Sequence, residues 1–121
     1  MRIKKISLKN IRSYASEEIS FPEGSTLLSG DIGSGKSTIL LAVEFALFGI
    51  SKEIPGAALL RNGQATGSVT LHFSLPGKDV IIQRTLKRTA TSVGQDYGSV
   101  TVNGVEKIGT ATELKQEILT L

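Results

Sequence analysis

The residues best suited to chemistry stand together in one run, Gly30-Asp31-Ile32-Gly33-Ser34-Gly35-Lys36-Ser37. In the pattern Gly30-x4-Gly35-Lys36-Ser37 the glycines let the backbone curl until consecutive amide hydrogens point at one anion, a demand that side chains would obstruct. The run is therefore a nest for phosphate, with Ile32, Gly33, Ser34 and Gly35 supplying backbone donors. Lys36 is placed to reach the β- and γ-phosphates of ATP and is the catalytic candidate. The Ser37 hydroxyl is a ligand for Mg²⁺, and Thr38 is placed to bond the α-phosphate. Average residue usage makes a chance match in a chain of this length roughly a one in two hundred event, before any structural context is required.

Such a loop works only between a strand and a helix. Ser25 to Ser29, with Leu27 and Leu28 inside, reads as a short strand that runs directly into it. From Gly35 to Phe48, Ile39, Leu40, Ala42, Val43, Ala46, Leu47 and Phe48 recur at helical spacing with few charges, and Gly49 stands where a helix commonly stops. This predicts a buried helix whose N-terminal amides and partial positive charge face the phosphates. Upstream, Ile3, Ile6 and Leu8 alternate with polar residues as a strand ending near Asn10. Ile19 and Phe21, followed by Pro22-Glu23-Gly24, predict its hairpin partner.

Downstream, a connector from Ile50 to Thr66 leads to Val69, Leu71, Phe73 and Leu75, which alternate cleanly. Val80, Ile82 and Leu86 alternate after the Pro76-Gly77-Lys78-Asp79 turn, giving a second hairpin. The Thr, Ser and Gly-rich stretch from Thr89 to Ser99 reads as a loop. Val100 and Val102 form a short strand before the Asn103-Gly104 turn, and Thr110-Ala111-Thr112-Glu113 is a capping-box signature for a last amphipathic helix carrying Leu114, Ile118 and Leu119. The expectation is one α/β domain spanning residues 1–121, with antiparallel hairpins packed beside the phosphate-loop strand and helix.

Composition agrees with a packed core: 121 residues, 40% hydrophobic and 21% charged. With aromatic residues at 5% and no Trp, that core must be aliphatic. No cysteine is present, which excludes disulfides, cysteine nucleophiles and thiolate zinc sites and fits a reducing, cytoplasmic location. The alternating start Met1-Arg2-Ile3-Lys4-Lys5-Ile6 has the apolar run of neither a signal peptide nor a membrane span, so no membrane partner is expected. A net charge of +3 permits a polyanionic partner without requiring one.

The run Lys5-Ile6-Ser7-Leu8-Lys9-Asn10-Ile11-Arg12-Ser13-Tyr14, a short strand and then the phosphate loop near position 30 together resemble the start of the SMC, RecF and SbcC group of DNA-maintenance ATPases. Within that group the chain is similar to the SbcC and Rad-fifty family, which shares the Asn-hydrophobic-Arg-Ser start, the Gly-Ser-Gly-Lys-Ser loop, a helix ending like Phe45-Ala46-Leu47-Phe48-Gly49, and hairpins like those from Ser68 to Arg88. The resemblance implies a P-loop NTPase fold, the N-terminal lobe of an ABC-type ATPase head. It adds Arg12 and the connector residues Leu60, Arg61 and Asn62 as ATP contacts. Where this chain has Ile32 the family often has Asn, so a polar side-chain contact is absent there while the backbone amides remain.

The resemblance also marks what is missing. Such ATPases hydrolyse ATP with a Q-loop Gln, a Walker B Asp-Glu pair, a signature motif and a switch His, and none is recognisable here. Gln116 falls in a predicted helix, and His72 among alternating strand residues reads as a sheet-surface residue. Glu44 lies about two turns beyond Ser37, some 10 Å along the helix, and reads as structural. The chain is therefore expected to be an N-terminal lobe that needs the C-terminal lobe of the same ATPase, with heads dimerising on ATP, a nuclease of the Mre-eleven or SbcD type, and double-stranded DNA as partners. Arg84, Lys87 and Arg88 are candidate contacts to the DNA phosphate backbone, since such contacts need cations without base-reading geometry; a solvated strand edge is the alternative. Other readings stay open: another ABC-type ATPase, SMC- or RecF-like or a transporter subunit, or a stand-alone nucleotide-sensing module.

Overall fold

Alternation of apolar and polar residues dictates most of the strands. The computed structural model describes residues 2–12, 14–21, 36–50 and 56–121, with residues 36 and 37 described as backbone only. Strand β1 (Arg2–Ile11) pairs antiparallel with β2 (Tyr14–Ser20), the hairpin expected from Ile3 to Phe21. Strands β3 (Thr66–Leu75) and β4 (Lys78–Arg88) form the long second hairpin in unbroken register from Thr66↔Lys87 to Leu75↔Lys78. Its tight turn falls at Gly77, whose φ of +74° an L side chain resists.

Helix α1 (Lys36–Phe48) matches the predicted helix. The predicted strand Ser25 to Ser29 and the loop residues 30–35 lie outside the described residues. A one-turn helix α2 (Gly56–Leu59) interrupts the connector, and after β4 come β5 (Val93–Gln95), β6 (Gly98–Val102), β7 (Val105–Gly109) and helix α3 (Ala111–Leu119). Among the described residues the strands make one seven-stranded sheet in the order β2-β1-β3-β4-β6-β7, every pairing antiparallel. Strand β5 pairs with the last residues of β4, Leu86 to Arg88, while β6 pairs with Val80 to Gln83. One side of β4 is therefore covered by two short strands, and the Asp96 amide bridges the gap between them to the Thr85 carbonyl at 2.8 Å.

The stretch read as a loop thus contains β5. Three residues are too few for a period of two to show, and pairing to β4 makes the strand. The first two apolar positions of α3 fare differently from the third: Leu114 is buried and Ile118 packs against the core, whereas Leu119 is 77% exposed. The capping box is complete, with the Thr110 hydroxyl accepting from the Glu113 amide and the Glu113 carboxylate accepting from the Thr110 amide.

One sheet face is the core. Ile6 and Leu8 of β1, Val69, Leu71 and Phe73 of β3, and Val80, Ile82 and Leu86 of β4 meet Ala42, Phe45 and Ala46 of α1, with Leu114 of α3 closing one end. The other face carries Lys5, Ser7, Lys9, Ser68, Thr70, Gln83, Thr85 and Lys87 and is solvated. This in-out alternation fixes the register, because a slip of one residue would expose the whole apolar set.

Candidate functional site

The end of β1 departs from a regular strand. Asn10 and Arg12 both adopt left-handed backbone conformations, with φ of +53° and +50°. Asn tolerates this region, but Arg does so at a cost of order 1 kcal/mol. The two reversals change the phase of the strand, so that Ile11 is fully buried and Arg12 is exposed.

Ile11 then bridges to Leu60 as an isolated antiparallel pair. The Arg12 amide donates to the Leu59 carbonyl at 2.8 Å, the Arg61 amide to the Asn10 carbonyl at 2.9 Å, and the Arg61 guanidinium to the Arg12 carbonyl at 3.3 Å. Arg12, Leu60 and Arg61, distant in sequence, are thereby held in one corner, with Asn62 exposed beside them. Leu60 is itself a core residue at 3% exposure, so what it offers a ligand is backbone.

Two residues not expected as nucleotide contacts, Asn10 of the family-like start and Gly67, shape this corner. The Asn10 side chain donates to the Thr66 carbonyl at 3.0 Å. Gly67 lies beneath, where a Cβ would come within 2.8 Å of the Asn10 carbonyl oxygen and of a Leu60 methyl. The signals available were an Asn at a strand end and a Gly inside an alternating strand, which often marks a close backbone approach.

Helix α1 opens with Lys36, Ser37 and Thr38, and Thr38 is buried at 5% exposure. Ile32, Gly33, Ser34 and Gly35 lie outside the described residues, and of Lys36 and Ser37 only the helical backbone is described. The helix packs on β1, β3 and β4 and also touches α2, which ties the corner to the helix that follows the phosphate loop.

The three candidate DNA cations do not form one surface. Arg84, expected at an exposed strand end, is 1% exposed and points into the core. Its parity on β4 is that of Val80, Ile82 and Leu86, and its guanidinium donates to the Ala46 carbonyl at 2.8 Å, to the Gln95 side-chain oxygen at 3.1 Å and to the Leu47 carbonyl at 3.5 Å. A DNA phosphate cannot reach it. Burial pulls its pKa below the ordinary arginine value, and no carboxylate pairs with it among the described residues. Lys87 and Arg88 are exposed, on opposite sheet faces as neighbours in a strand must be. Arg88 donates to the Gln64 carbonyl at 3.0 Å and to the Arg61 carbonyl at 3.5 Å, which joins it to the corner.

His72 lies on the solvated sheet face, where its Nε2 meets the Asp79 carboxylate at 2.9 Å beside the Lys4 ammonium, also 2.9 Å away. The hydrogen bond from Lys4 and then that from His72 hold the Asp79 carboxyl below its usual pKa. Lys4 reaches Asp79 because it is the extra residue of a bulge against β3. Glu44 is exposed on α1. A groove of about 310 Å³ between β7 and α3 lies away from the corner and is lined by Lys107, Ile108, Glu113 and Glu117; the Lys107–Glu117 ion pair crosses it.

A family profile described as "AAA domain" matches residues 5–120, nearly the whole chain. The chain belongs to this AAA domain family. The DNA double-strand break repair Rad50 ATPase of Methanosarcina acetivorans is 32% identical to this AAA domain over 126 residues, which covers 100% of the chain and 12% of the relative. The protein of the same name from Methanococcus maripaludis is 34% identical over 121 residues, covering 98% of the chain and 12% of the relative. The chain thus spans about one eighth of the length of these relatives.

Among solved structures, a chain from work on ATP-driven dimerization and DNA-stimulated activation of SMC ATPases superposes with a TM-score of 0.67 at 27% identity, covering 99% of this chain and 78% of that one. The recombination mediator protein RecF with ATP matches in fold, at a TM-score of 0.64 and 21% identity over 93% of this chain and 29% of that one. The AAA domain is therefore a homologue of the Rad50 ATPases with the fold of SMC and RecF ATPase heads, a P-loop NTPase of mixed α/β type with an antiparallel sheet.

Proposed function

We propose that this AAA domain is the N-terminal lobe of an SbcC- and Rad50-like ATPase head that binds Mg-ATP through Gly30 to Ser37. The observation that carries the reading is the corner in which Arg12 and Arg61 are stapled together and joined through α2 to helix α1, the helix that opens with Lys36, Ser37 and Thr38. A left-handed Arg costs free energy that an exposed, unligated cation does not return, and residues held in such conformations cluster at ligand sites. Arg12, Arg61 and Asn62 would contact the nucleotide, and Thr38 the α-phosphate.

Among the described residues no group of three or more His, Cys, Asp or Glu is placed to hold a metal. A cation here would rest on the Ser37 hydroxyl and on phosphate oxygens, a hard oxygen set that suits Mg²⁺. Bound there, Mg²⁺ would neutralise charge on the β- and γ-phosphates.

Helix α1 supports the expected partner lobe. Apart from Glu44 it is apolar from Ile39 to Phe48, yet part of that surface is left uncovered by the sheet and α3; Leu47 is half-buried and Phe48 is 69% exposed beside Ile118 and Leu119. So broad an apolar helix surface is normally covered by a neighbouring element. The C-terminal lobe would cover this face, and two heads closing on ATP would hydrolyse it, acting in double-strand-break repair with a nuclease of the Mre-eleven or SbcD type and double-stranded DNA. No helix among the described residues is long and apolar enough to cross a membrane, and a cytoplasmic location is part of the proposal. A RecF-like head is the second reading, favoured by the shared fold. A reading frame that continues into long heptads favours the first, and one that continues directly into a second lobe the other.

The test is Lys36→Ala in a fluorescent-ATP titration. Loss of ATP binding is expected, and an unchanged affinity would sink the phosphate-site assignment.

A further inference from the structure

Arg84 is a charged side chain where the strand pattern calls for an apolar one. It lies between Ile82 and Leu86 on the core face of β4, opposite Val69 of β3. A Met at this position would carry no desolvation penalty, whereas a buried guanidinium does. What the guanidinium does there is specific. Helix α1 has no basic residue in its last turn, and Arg84 delivers one from another element. The Phe45 carbonyl accepts from the Gly49 amide at 2.8 Å, the Ala46 carbonyl from Arg84 Nε, and the Leu47 carbonyl from the Arg84 fork. Three carbonyls at the helix end are thus satisfied, and the cation faces the negative end of the helix dipole. The fork is itself held by Gln95 of β5. A Cβ on Gly49 would stand 3.0 Å from the Gln95 side chain and 3.3 Å from Arg84, so the assembly closes tightly around the chain as it leaves the helix.

Apolar contacts alone would hold α1 loosely in register. A helix of Ile, Leu, Ala, Val and Phe can shift or turn on an aliphatic sheet at little cost, because hydrophobic burial has no direction. A planar fork with fixed donors does have direction. We propose that Arg84 is a positioning residue for the phosphate site: by gripping the carboxyl end of α1 it sets the axial and rotational position in which the helix presents its first-turn groups. The inference rests on the nucleotide-site reading above and names a residue that positions that site from the opposite end of α1.

The experiment compares wild type, Arg84→Met and Arg84→Lys of the 121-residue chain by fluorescent-ATP titration at a temperature well below each variant's melting midpoint. Met keeps the volume and removes the fork, while Lys keeps the charge at the helix end without the planar fork. The expected result is a dissociation constant raised about tenfold for Met, equivalent to about 1.4 kcal/mol, with Lys in between. A folded Arg84→Met chain that binds ATP as wild type overturns the inference and leaves Arg84 as a helix cap alone. If Arg84→Met does not fold, Gln95→Ala frees the fork with less damage: weaker ATP binding supports the inference, and unchanged binding overturns it. A wild-type chain that fails to bind ATP refutes the nucleotide reading itself, a result distinguishable from the variant outcomes.

Discussion

Gly67→Ala tests the corner directly. At this position φ is compatible with any residue, so only space decides. The new methyl carbon would lie 2.8 Å from the Asn10 carbonyl oxygen, 2.8 Å from a Leu60 methyl and 3.0 Å from the Lys9 carbonyl oxygen. Two of these neighbours are backbone and cannot rotate away. Relief requires the end of β1 to move by several tenths of an ångström, against a hydrogen bond in which the same Asn10 carbonyl accepts from the Arg61 amide. Overpacking of this kind costs about 1–3 kcal/mol. Restricting the unfolded chain returns about 0.4–1 kcal/mol. The net loss is about 1–2 kcal/mol, a fall in melting temperature of about 4–8 °C for a chain of this size.

Because the displaced atoms hold Arg12 and Arg61, ATP affinity should fall as well, about fivefold for 1 kcal/mol of misplacement. The assay pairs thermal melting with fluorescent-ATP titration. Gly94→Ala is the internal control: its Cβ meets nothing within 4 Å and its φ is not positive, so it should melt at or slightly above wild type. A Gly67→Ala chain that melts with Gly94→Ala would refute the close approach at the corner. One that melts early but binds ATP normally would detach the corner from the nucleotide.

Two further outcomes follow from the remaining geometry. Because the folded-state pKa of Asp79 is depressed, its contribution is present above the ordinary value of 3.8 and is lost as pH falls below that toward the folded value; Asp79→Asn should therefore flatten the acid limb of the pH–melting curve below about pH 4, and an unchanged limb would contradict the Lys4 and His72 contacts. Thr110→Ala removes one half of the α3 capping box and should cost about 1 kcal/mol in chemical denaturation, whereas Thr110→Ser should cost little.

What was legible in the sequence had a period or a strong local rule behind it. The alternation of Val69 to Leu75 and of Val80 to Leu86 is long enough to be unambiguous, and Thr110 to Glu113 carries its own capping chemistry, so these elements appear where they were expected. Strands β5 and β7 did not show, because three residues cannot display a period and the first four residues of β7 are all exposed; both exist by pairing to a neighbour already in place. Arg84 was misread for a related reason. Its type says surface, while its parity with Ile82 and Leu86 says core, and parity prevailed because the end of α1 supplies the acceptors. The meeting of Arg12 with Arg61 came from the family resemblance and not from any spacing, since contact between residues so far apart in the chain is a property of the sheet and connector.

The left-handed backbone at position 12 sets two selective pressures against each other. Gly fits φ of +50° without strain and Asn with little, so a chain selected only for resistance to unfolding would drift to one of them. Either change would delete the cation at that point. Keeping Arg12 is then a compromise that engineering for stability alone would undo, yielding a hardier protein without the cation proposed to contact the nucleotide.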